Sequence, residues 1–144
     1  MRAALCRTYG GPDVVEIAEV PAPELAAGTA RVRVHVGAVN FPDVLVIANT
    51  YQQSAPVPFI PGSEFAGEVI EVADGVKGVA LGDRVFGSVF IGAFADEVVV
   101  SASSLARTPD GVDDRVAAAF GVAYRTAYHV LRSVAELAPG DELI

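Results

Sequence analysis

The sequence predicts a mainly β domain with helices, of the α+β class, and three patterns support this. From Arg31 to Val36, valines alternate with charged or polar side chains, as in a strand with one buried face. Further β-rich runs at 65–72, 84–90 and 95–100 are bounded by glycine-containing turns. Beyond Pro109, apolar residues recur at helical spacing. The length of 144 residues is that of about one domain.

The first half of the chain reads as a hairpin followed by a strand and a short helix. Apolar-rich runs at 2–8 and 14–20 flank turn residues, which predicts the hairpin. Pro42 and Asp43 suit the first turn of a helix that ends near Asn49. Residues 50–61 contain several prolines and are expected to form a loop that lies over the site.

A turn that leads directly into a strand marks the stretch Pro58 to Val72. It places Gly62, Ser63 and Glu64 at the rim of the strand, where small-molecule sites are often built. The carboxylate of Glu64 is expected to bond the backbone within this turn. A second turn, LGDRVFG at 81–87, is expected to have a structural role. Its glycine is free to adopt positive φ, and its aspartate can accept from neighbouring backbone amides.

The C-terminal part predicts a helix that Asp113 or Asp114 can cap and that ends at Pro139 and Gly140. The apolar stripe of this helix is expected to be core. Its members are Ala123, Ala127, Val130, Leu131, Val134 and Leu137. His129 is expected to pack beneath it as a structural residue, and His35 to be a solvated strand residue. Glu142 to Ile144 have the pattern of the first residues of a strand.

Composition limits the classes of function. The net charge is −8, and the ten Lys and Arg residues are spread along the chain, so we expect no nucleic-acid partner. The apolar runs are far shorter than the roughly 18–20 residues of a membrane span, so no membrane partner is expected. A single cysteine, Cys6, allows no internal disulfide and no multi-cysteine zinc site. We expect a cytoplasmic protein.

Four stretches together resemble the medium-chain dehydrogenase/reductase superfamily, and specifically its zinc-independent quinone oxidoreductase (zeta-crystallin-like) branch. They are GAVNFPDVL at 37–45, PFIPGSEFAGEV at 58–69, LGDRV at 81–85 and AAAFGVAYRTAYHVL at 117–131. The resemblance implies a GroES-like β-barrel catalytic domain over residues 1–138. It also implies that residues 139–144 begin the first strand of a dinucleotide-binding domain that the chain lacks, so that the chain is a truncated form.

The resemblance also implies chemistry without a metal. Zinc-dependent relatives carry cysteine where this chain has Asn40 and histidine where it has Ser63. Since neither an amide nor a hydroxyl replaces a thiolate or imidazole ligand, we expect no zinc. What remains is hydride transfer from NADPH to a quinone or an activated enone, with the hard step carried by the cofactor.

Five residues are candidates for the site by their match to the family's positions. Asn40, Asp43 and Thr126 are expected near the cofactor, Asn40 also with a catalytic role, and Ser63 is expected in the substrate pocket. Tyr51 lies eleven positions after Asn40, which is the spacing of a catalytic tyrosine in related 2-enoyl thioester reductases.

Four of these residues also have a purely structural interpretation. The side chain of Asn40 can bond the backbone of the local turn. The helix dipole favours an aspartate such as Asp43 in the first turn, and the hydroxyl of Thr126 can donate to a preceding carbonyl of its helix. Tyr51 can be an aromatic residue that only packs, whereas the resemblance to quinone reductases places it in the substrate pocket, as a wall near the nicotinamide.

Three functions therefore remain open. We expect the catalytic-domain part of an NADPH-dependent quinone oxidoreductase, inactive alone because the absent domain binds most of the cofactor, and a homodimer at full length. The alternatives are an enone or 2-enoyl thioester reductase with Tyr51 as proton donor, and a non-catalytic GroES-like binding or structural module. The isolated chain is expected to expose apolar surface and to self-associate.

Overall fold

The computed structural model describes residues 1–135 and 137–142, and within them the chain is mainly β. The strands and helices follow in this order: β1 Arg2–Cys6, β2 Val15–Glu19, β3 Thr29–Ala38, α1 Phe41–Ile47, β4 Glu64–Val72, β5 Arg84–Ser88, β6 Glu97–Ser101, β7 Ala106–Arg107 and α2 Asp114–His129. Two 3-10 turns, Pro12–Val14 and Ala102–Ser104, and a π-helical turn, Val130–Val134, complete the elements. The predicted fold class is confirmed.

The central sheet has five antiparallel strands in the order β6-β3-β4-β5-β7. β3 and β4 form its middle, with Ala38 opposite Glu64 at one end of the pair. Chain segments that are distant in sequence therefore meet where β3 ends, α1 begins and β4 starts. This corner of the sheet carries most of the candidate residues.

The main core lies on one face of this sheet. Phe65, Val69 and Val85 are fully buried there with Val32 of β3. Gly67 in the middle of β4 allows the strands to approach, because a Cβ at that position would lie 1.9 Å from the carbonyl oxygen of Arg33.

The predicted hairpin is β1 paired with β2, and it belongs to a second core cluster. An isolated bridge joins Cys6 to Phe59 in the loop after α1. Cys6, Val46, Ile47, Ala55 and Phe59 are buried together in this cluster. The long loop at 50–61 thus covers the hairpin and α1 with its own apolar side chains.

The end of α1 and the turn at 81–87 each contain a residue with positive φ. α1 ends at Ile47, two residues before the predicted end, and Asn49 follows with φ of 55°. In the second turn, Gly82 has φ of 85° and the carboxylate of Asp83 accepts from the amide of Ala80 at 2.7 Å.

The first half of α2 packs on the other face of the sheet. Asp113 caps the helix by accepting from the amide of Arg115 at 2.8 Å. Ala117 and Ala118 are buried against Ala66 of β4, so small side chains let the helix approach the strands closely.

The second half of α2 corrects the prediction of a buried apolar stripe. No described residue from Val122 to Ala135 is buried, and Val134 is 66% exposed. His129 is exposed as well, so its predicted position beneath a core is wrong. The physical reason is that the buried residues of α2, Ala117, Ala118 and Gly121, all lie in its first half, where the helix packs on the sheet.

The end of the helical region also differs from the prediction. Helical structure ends at Val134 rather than at Pro139, and Pro139 and Gly140 form a turn. Two of the three residues predicted to begin a strand, Leu143 and Ile144, lie outside the described residues. Among the described helices, none combines the length and the apolar character needed to cross a bilayer.

Candidate functional site

The corner between β3, α1 and β4 holds Asn40 and Asp43 in a capping box at the start of α1. The carboxylate of Asp43, only 3% exposed, accepts from the backbone N–H of Asn40 at 2.7 Å. The Nδ2 atom of Asn40 donates to Oε2 of Glu64 at 2.8 Å. Asp43 therefore fixes the backbone of the cap, while the amide of Asn40 points to the start of β4.

Glu64 is the residue that joins the two sides of the site. Its side chain is 1% exposed, and its second oxygen, Oε1, accepts from the backbone N–H of Val122 in α2. The expectation that Glu64 bonds backbone within its own turn is wrong. Its partners are more distant because β4 starts at Glu64 beneath α2, which crosses this end of the sheet.

A glycine in α2 makes this contact possible. A Cβ on Gly121 would lie 2.5 Å from Oε1 of Glu64 and 3.1 Å from Oγ of Ser88 in β5. Glycine inside a helix costs about 1 kcal/mol relative to alanine. The close approach of the carboxylate to the helix explains why glycine occupies this position.

An open groove of about 960 Å³ runs along the exposed half of α2, beside this contact. Thr126 contributes to its wall, and Ser88 lines the end near Gly121. The other lining residues come from α2 and are Phe120, Val122, Tyr124, Arg125, Ala127, Tyr128 and His129. The surface of the groove is mainly apolar, with hydroxyl groups and an arginine among the aromatic rings.

Aromatic stacking stiffens one end of the groove. The rings of Phe120 and Tyr124 stack with centroids 5.3 Å apart and planes 10° apart. Phe120 also meets Phe86 of β5 edge-on at 6.4 Å. A flat apolar surface of this kind suits a planar ring in a ligand.

Ser63 precedes the buried carboxylate and has an unusual environment. Its carbonyl oxygen accepts from the amide of Val89 at 2.9 Å, but its buried Oγ has no hydrogen-bond partner among the described residues. A buried hydroxyl without a partner within the chain is costly, and Ser63 shares this state with Thr108 among the described residues.

Tyr51 lies in the second core cluster, apart from this network. It packs against the cluster that contains Val46 and Phe59, and its ring stacks on Phe90 at 6.4 Å. Its hydroxyl meets only the amide of Gln52, at 3.5 Å, among the described residues. The structure thus connects Asn40, Asp43 and Glu64 by hydrogen bonds, packs Tyr51 against the second core cluster and places Thr126 in the wall of the groove.

The residues at the expected zinc position do not fit that metal. The amide of Asn40 turns a donor toward Glu64, and Ser63 offers only a neutral hydroxyl. Cys6 is buried in the second cluster, where burial raises the pKa of its thiol. In residues 1–135 and 137–142, no group of three or more His, Cys, Asp or Glu side chains has an arrangement that could hold a metal ion.

His35 belongs to an ion-pair network at the start of α2 and not to the groove. Its Nδ1 lies 2.9 Å from Oδ2 of Asp114, and the other oxygen of Asp114 accepts from Arg84. The hydrogen bonds from His35 and Arg84 hold the pKa of Asp114 below its ordinary value. The expectation of a solvated histidine therefore holds only in part, because His35 also anchors the helix.

Comparison with known proteins shows the class to which this fold and site belong. Residues 26–110 match the alcohol dehydrogenase GroES-like domain, and the chain belongs to this family.

Its relatives include quinone oxidoreductase-like proteins. The chain is 37% identical to quinone oxidoreductase-like protein 2 homolog of Nematostella vectensis, over 99% of this chain and 39% of the relative. It is similar to the structure of the Thermus thermophilus quinone oxidoreductase, solved also in complex with NADPH, with a TM-score of 0.84, 33% identity and coverage of 98% of this chain and 43% of that one. The recognised superfamily and the GroES-like fold are confirmed.

A relative of a different kind is erythronolide synthase EryA2 of Saccharopolyspora erythraea. It is 41% identical over 94% of this chain, which corresponds to 4% of the synthase. The chain spans about two-fifths of the length of the quinone oxidoreductase-like relative.

Sequence reasoning missed the partners of Glu64 and the exposed aromatic face of α2. One signal could have indicated the first, since Gly121 stands inside a predicted helix and such a glycine often marks close packing. The second had no signal, because helical periodicity shows that a face is apolar but not what covers it.

Proposed function

We propose that the chain is the catalytic domain of an NADPH-dependent, zinc-free quinone oxidoreductase. The observation that carries the proposal is the groove along α2, where Thr126 and stacked aromatic rings share the wall with Gly121, the neighbour of the buried Glu64 that Asn40 contacts. NADPH-bound structures of relatives support the choice of cofactor.

The residues present fit one face of such a cofactor. Thr126 offers an exposed hydroxyl, and the stacked rings of Phe120 and Tyr124 offer a flat surface. Ser63 stays a candidate for the substrate pocket by its match to the family position, although its Oγ is buried in the chain alone. When bound, the nicotinamide supplies the hydride, and the protein's part is to orient the two reactants and exclude water.

Asn40 and Asp43 have different parts in this proposal. Asp43 fixes the backbone of Asn40, since its buried carboxylate accepts from the N–H of Asn40. The side-chain amide of Asn40 is held by Glu64, whose other oxygen contacts the helix that lines the groove. Neither residue needs a metal for this work.

We further propose that the complete protein contains a dinucleotide-binding domain that begins near residues 139–144. The length of the relatives supports it, since 144 residues correspond to 39% of the sea-anemone relative. The complete protein is then expected to be a homodimer in the cytoplasm, and this chain alone to be inactive. The single cysteine fits a reducing compartment.

The test of the proposal is oxidation of NADPH by the complete protein in the presence of a panel of quinones and enones. We expect turnover of at least one quinone in metal-free buffer, with no zinc in elemental analysis of the purified protein. Stoichiometric zinc, or NADPH oxidation that requires added zinc, would overturn the zinc-free chemistry.

A second candidate, reduction of a 2-enoyl thioester, is favoured by the polyketide synthase relative. In this case the hydroxyl of Tyr51 would supply the proton to the reduced carbon. Tyr51→Phe in the complete protein separates the two. Loss of enone reduction with quinone reduction retained supports a proton-donor role, whereas no change in either supports a packing role on Phe90.

A further inference from the structure

Glu64 has contacts that the proposed hydride chemistry does not itself require. One carboxylate, buried at the start of β4, accepts from the side chain of Asn40 at the cap of α1 and from the backbone of Val122 in α2. These two donors are far apart in sequence and belong to different elements. Glu64 is therefore the hydrogen-bonded link between the cap and the helix that lines the groove.

The contact with α2 is unusual for a helix interior. After the first turn of a helix, each backbone N–H ordinarily donates to the carbonyl of the residue four positions before it. The N–H of Val122 also donates to a side chain, the carboxylate of Glu64, and Gly121 leaves the space that the carboxylate needs. The helix thus has a defined point of attachment at the edge of the groove.

The same carboxylate sets the orientation of the Asn40 amide. Glu64 offers only acceptors to its partners, so the nitrogen of the amide must face it. The amide oxygen is then turned away from Glu64. A neutral glutamine at position 64 could present either group and would no longer require one orientation.

We propose that Glu64 is a positioning residue that holds the Asn40 amide and the Gly121–Val122 turn of α2 as one unit. Its value for hydride transfer rests on the proposed function, because the unit fixes Asn40 relative to Thr126, one turn farther along α2. The attachment itself is a property of the chain without cofactor, and it can be measured there.

The first measurement uses the unchanged chain, labelled with ¹⁵N and ¹³C. Scalar coupling across the hydrogen bond should join the amide nitrogen of Val122 to Cδ of Glu64. Coupling of Val122 to the carbonyl of Ala118, without coupling to Glu64, would overturn the proposal whatever any variant does.

The second measurement compares Glu64→Gln with Glu68→Gln, which changes another glutamate of the same strand. Glu64→Gln should accelerate hydrogen exchange of the Val122 amide about tenfold, the scale of one lost hydrogen bond, and shift the side-chain amide signals of Asn40. Glu68→Gln should leave both unchanged. Unaltered exchange and Asn40 signals in a folded Glu64→Gln chain would contradict the proposal.

The third measurement tests the space left by Gly121. Gly121→Ala should lower the Tm of the unchanged chain and lower it less in a Glu64→Ala background, because the added Cβ then no longer meets Oε1. Equal losses in the two backgrounds would show that Glu64 does not set the requirement for glycine.

Activity of the complete protein separates this proposal from the proposed function. If the coupling and exchange results are as expected but NADPH reduces no acceptor, the proposed function fails and the attachment stands. If the protein turns over but Val122 shows no contact with Glu64, the attachment alone fails. In an active protein, Glu64→Gln should lower kcat more than it raises KM for NADPH.

Discussion

The two halves of α2 differ in what covers them, although both have apolar residues at helical spacing. In the first half, Ala117 and Ala118 pack on the sheet, and the buried carboxylate of Glu64 lies against Gly121. The second half presents Tyr124 and Tyr128, which are 64% and 68% exposed, to the groove. One helix therefore has a structural half and a half available for binding, and substitutions should affect stability in the first and binding in the second.

The largest effect is expected in the sheet core on which the structural half depends. Phe65→Ala removes a fully buried ring and should lower the free energy of unfolding by about 3–5 kcal/mol. Phe41→Ala is the matched control because this ring is largely exposed on α1, and it should change stability by less than about 1 kcal/mol. Urea unfolding followed by circular dichroism measures both. Equal losses would contradict the assignment of the core.

The second prediction compares the halves of α2 directly. Ala118→Leu adds volume at a buried contact with the sheet and should cost about 1–3 kcal/mol. Ala127→Leu makes the same change on the exposed half and should lie within about 0.5 kcal/mol of the unchanged chain. The same unfolding measurement applies. If Ala127→Leu were the more damaging change, the second half would be packed rather than exposed.

The third prediction concerns pH. The folded-state pKa of Asp114 is lowered by its hydrogen bonds with His35 and Arg84, so ionised Asp114 stabilises the fold above its unfolded pKa. This stabilisation is lost as the pH falls through the folded pKa. Asp114→Asn should therefore cost about 1 kcal/mol at neutral pH and progressively less in acid.

Asp113→Asn is the control for that change, because asparagine caps a helix about as well as aspartate. Its effect should be smaller at neutral pH and nearly independent of acidification. The account of the ion-pair network would be wrong if Asp114→Asn cost as much at acid pH as at neutral pH.

The smallest effect on stability is expected on the exposed half of α2. Tyr128→Ser should change the free energy of unfolding by no more than about 0.5 kcal/mol. It should nevertheless reduce self-association of the chain, since exposed aromatic surface favours it. Size-exclusion chromatography over a range of concentrations is the measurement. A monomeric unchanged chain at all concentrations would refute this prediction.

Local sequence patterns were sufficient for most of the fold. Alternating valines predicted β3, Pro42 and Asp43 predicted the start of α1, and the pair Asp113–Asp114 predicted the cap of α2. These features depend on neighbouring residues, which is why the sequence shows them.

The features that local patterns missed depend on distant contacts. Glu64 was expected to bond its own turn, but its partner Val122 comes from an element that the fold brings across the end of β4. The apolar stripe of α2 was expected to be core because periodicity does not distinguish a face covered by the chain from one left open. The roles of Asn40, Asp43, Tyr51, Ser63 and Thr126 stay predictions until activity is measured.

The most direct test of the central claim is the KM for NADPH of the complete protein with Thr126→Val, compared with Thr50→Val as a control. Loss of one hydrogen bond to the cofactor should raise KM about fivefold, with kcat changed less, and the control should behave as the unchanged protein. If Thr126→Val left KM for NADPH unchanged, the exposed half of α2 would not be a wall of the cofactor groove.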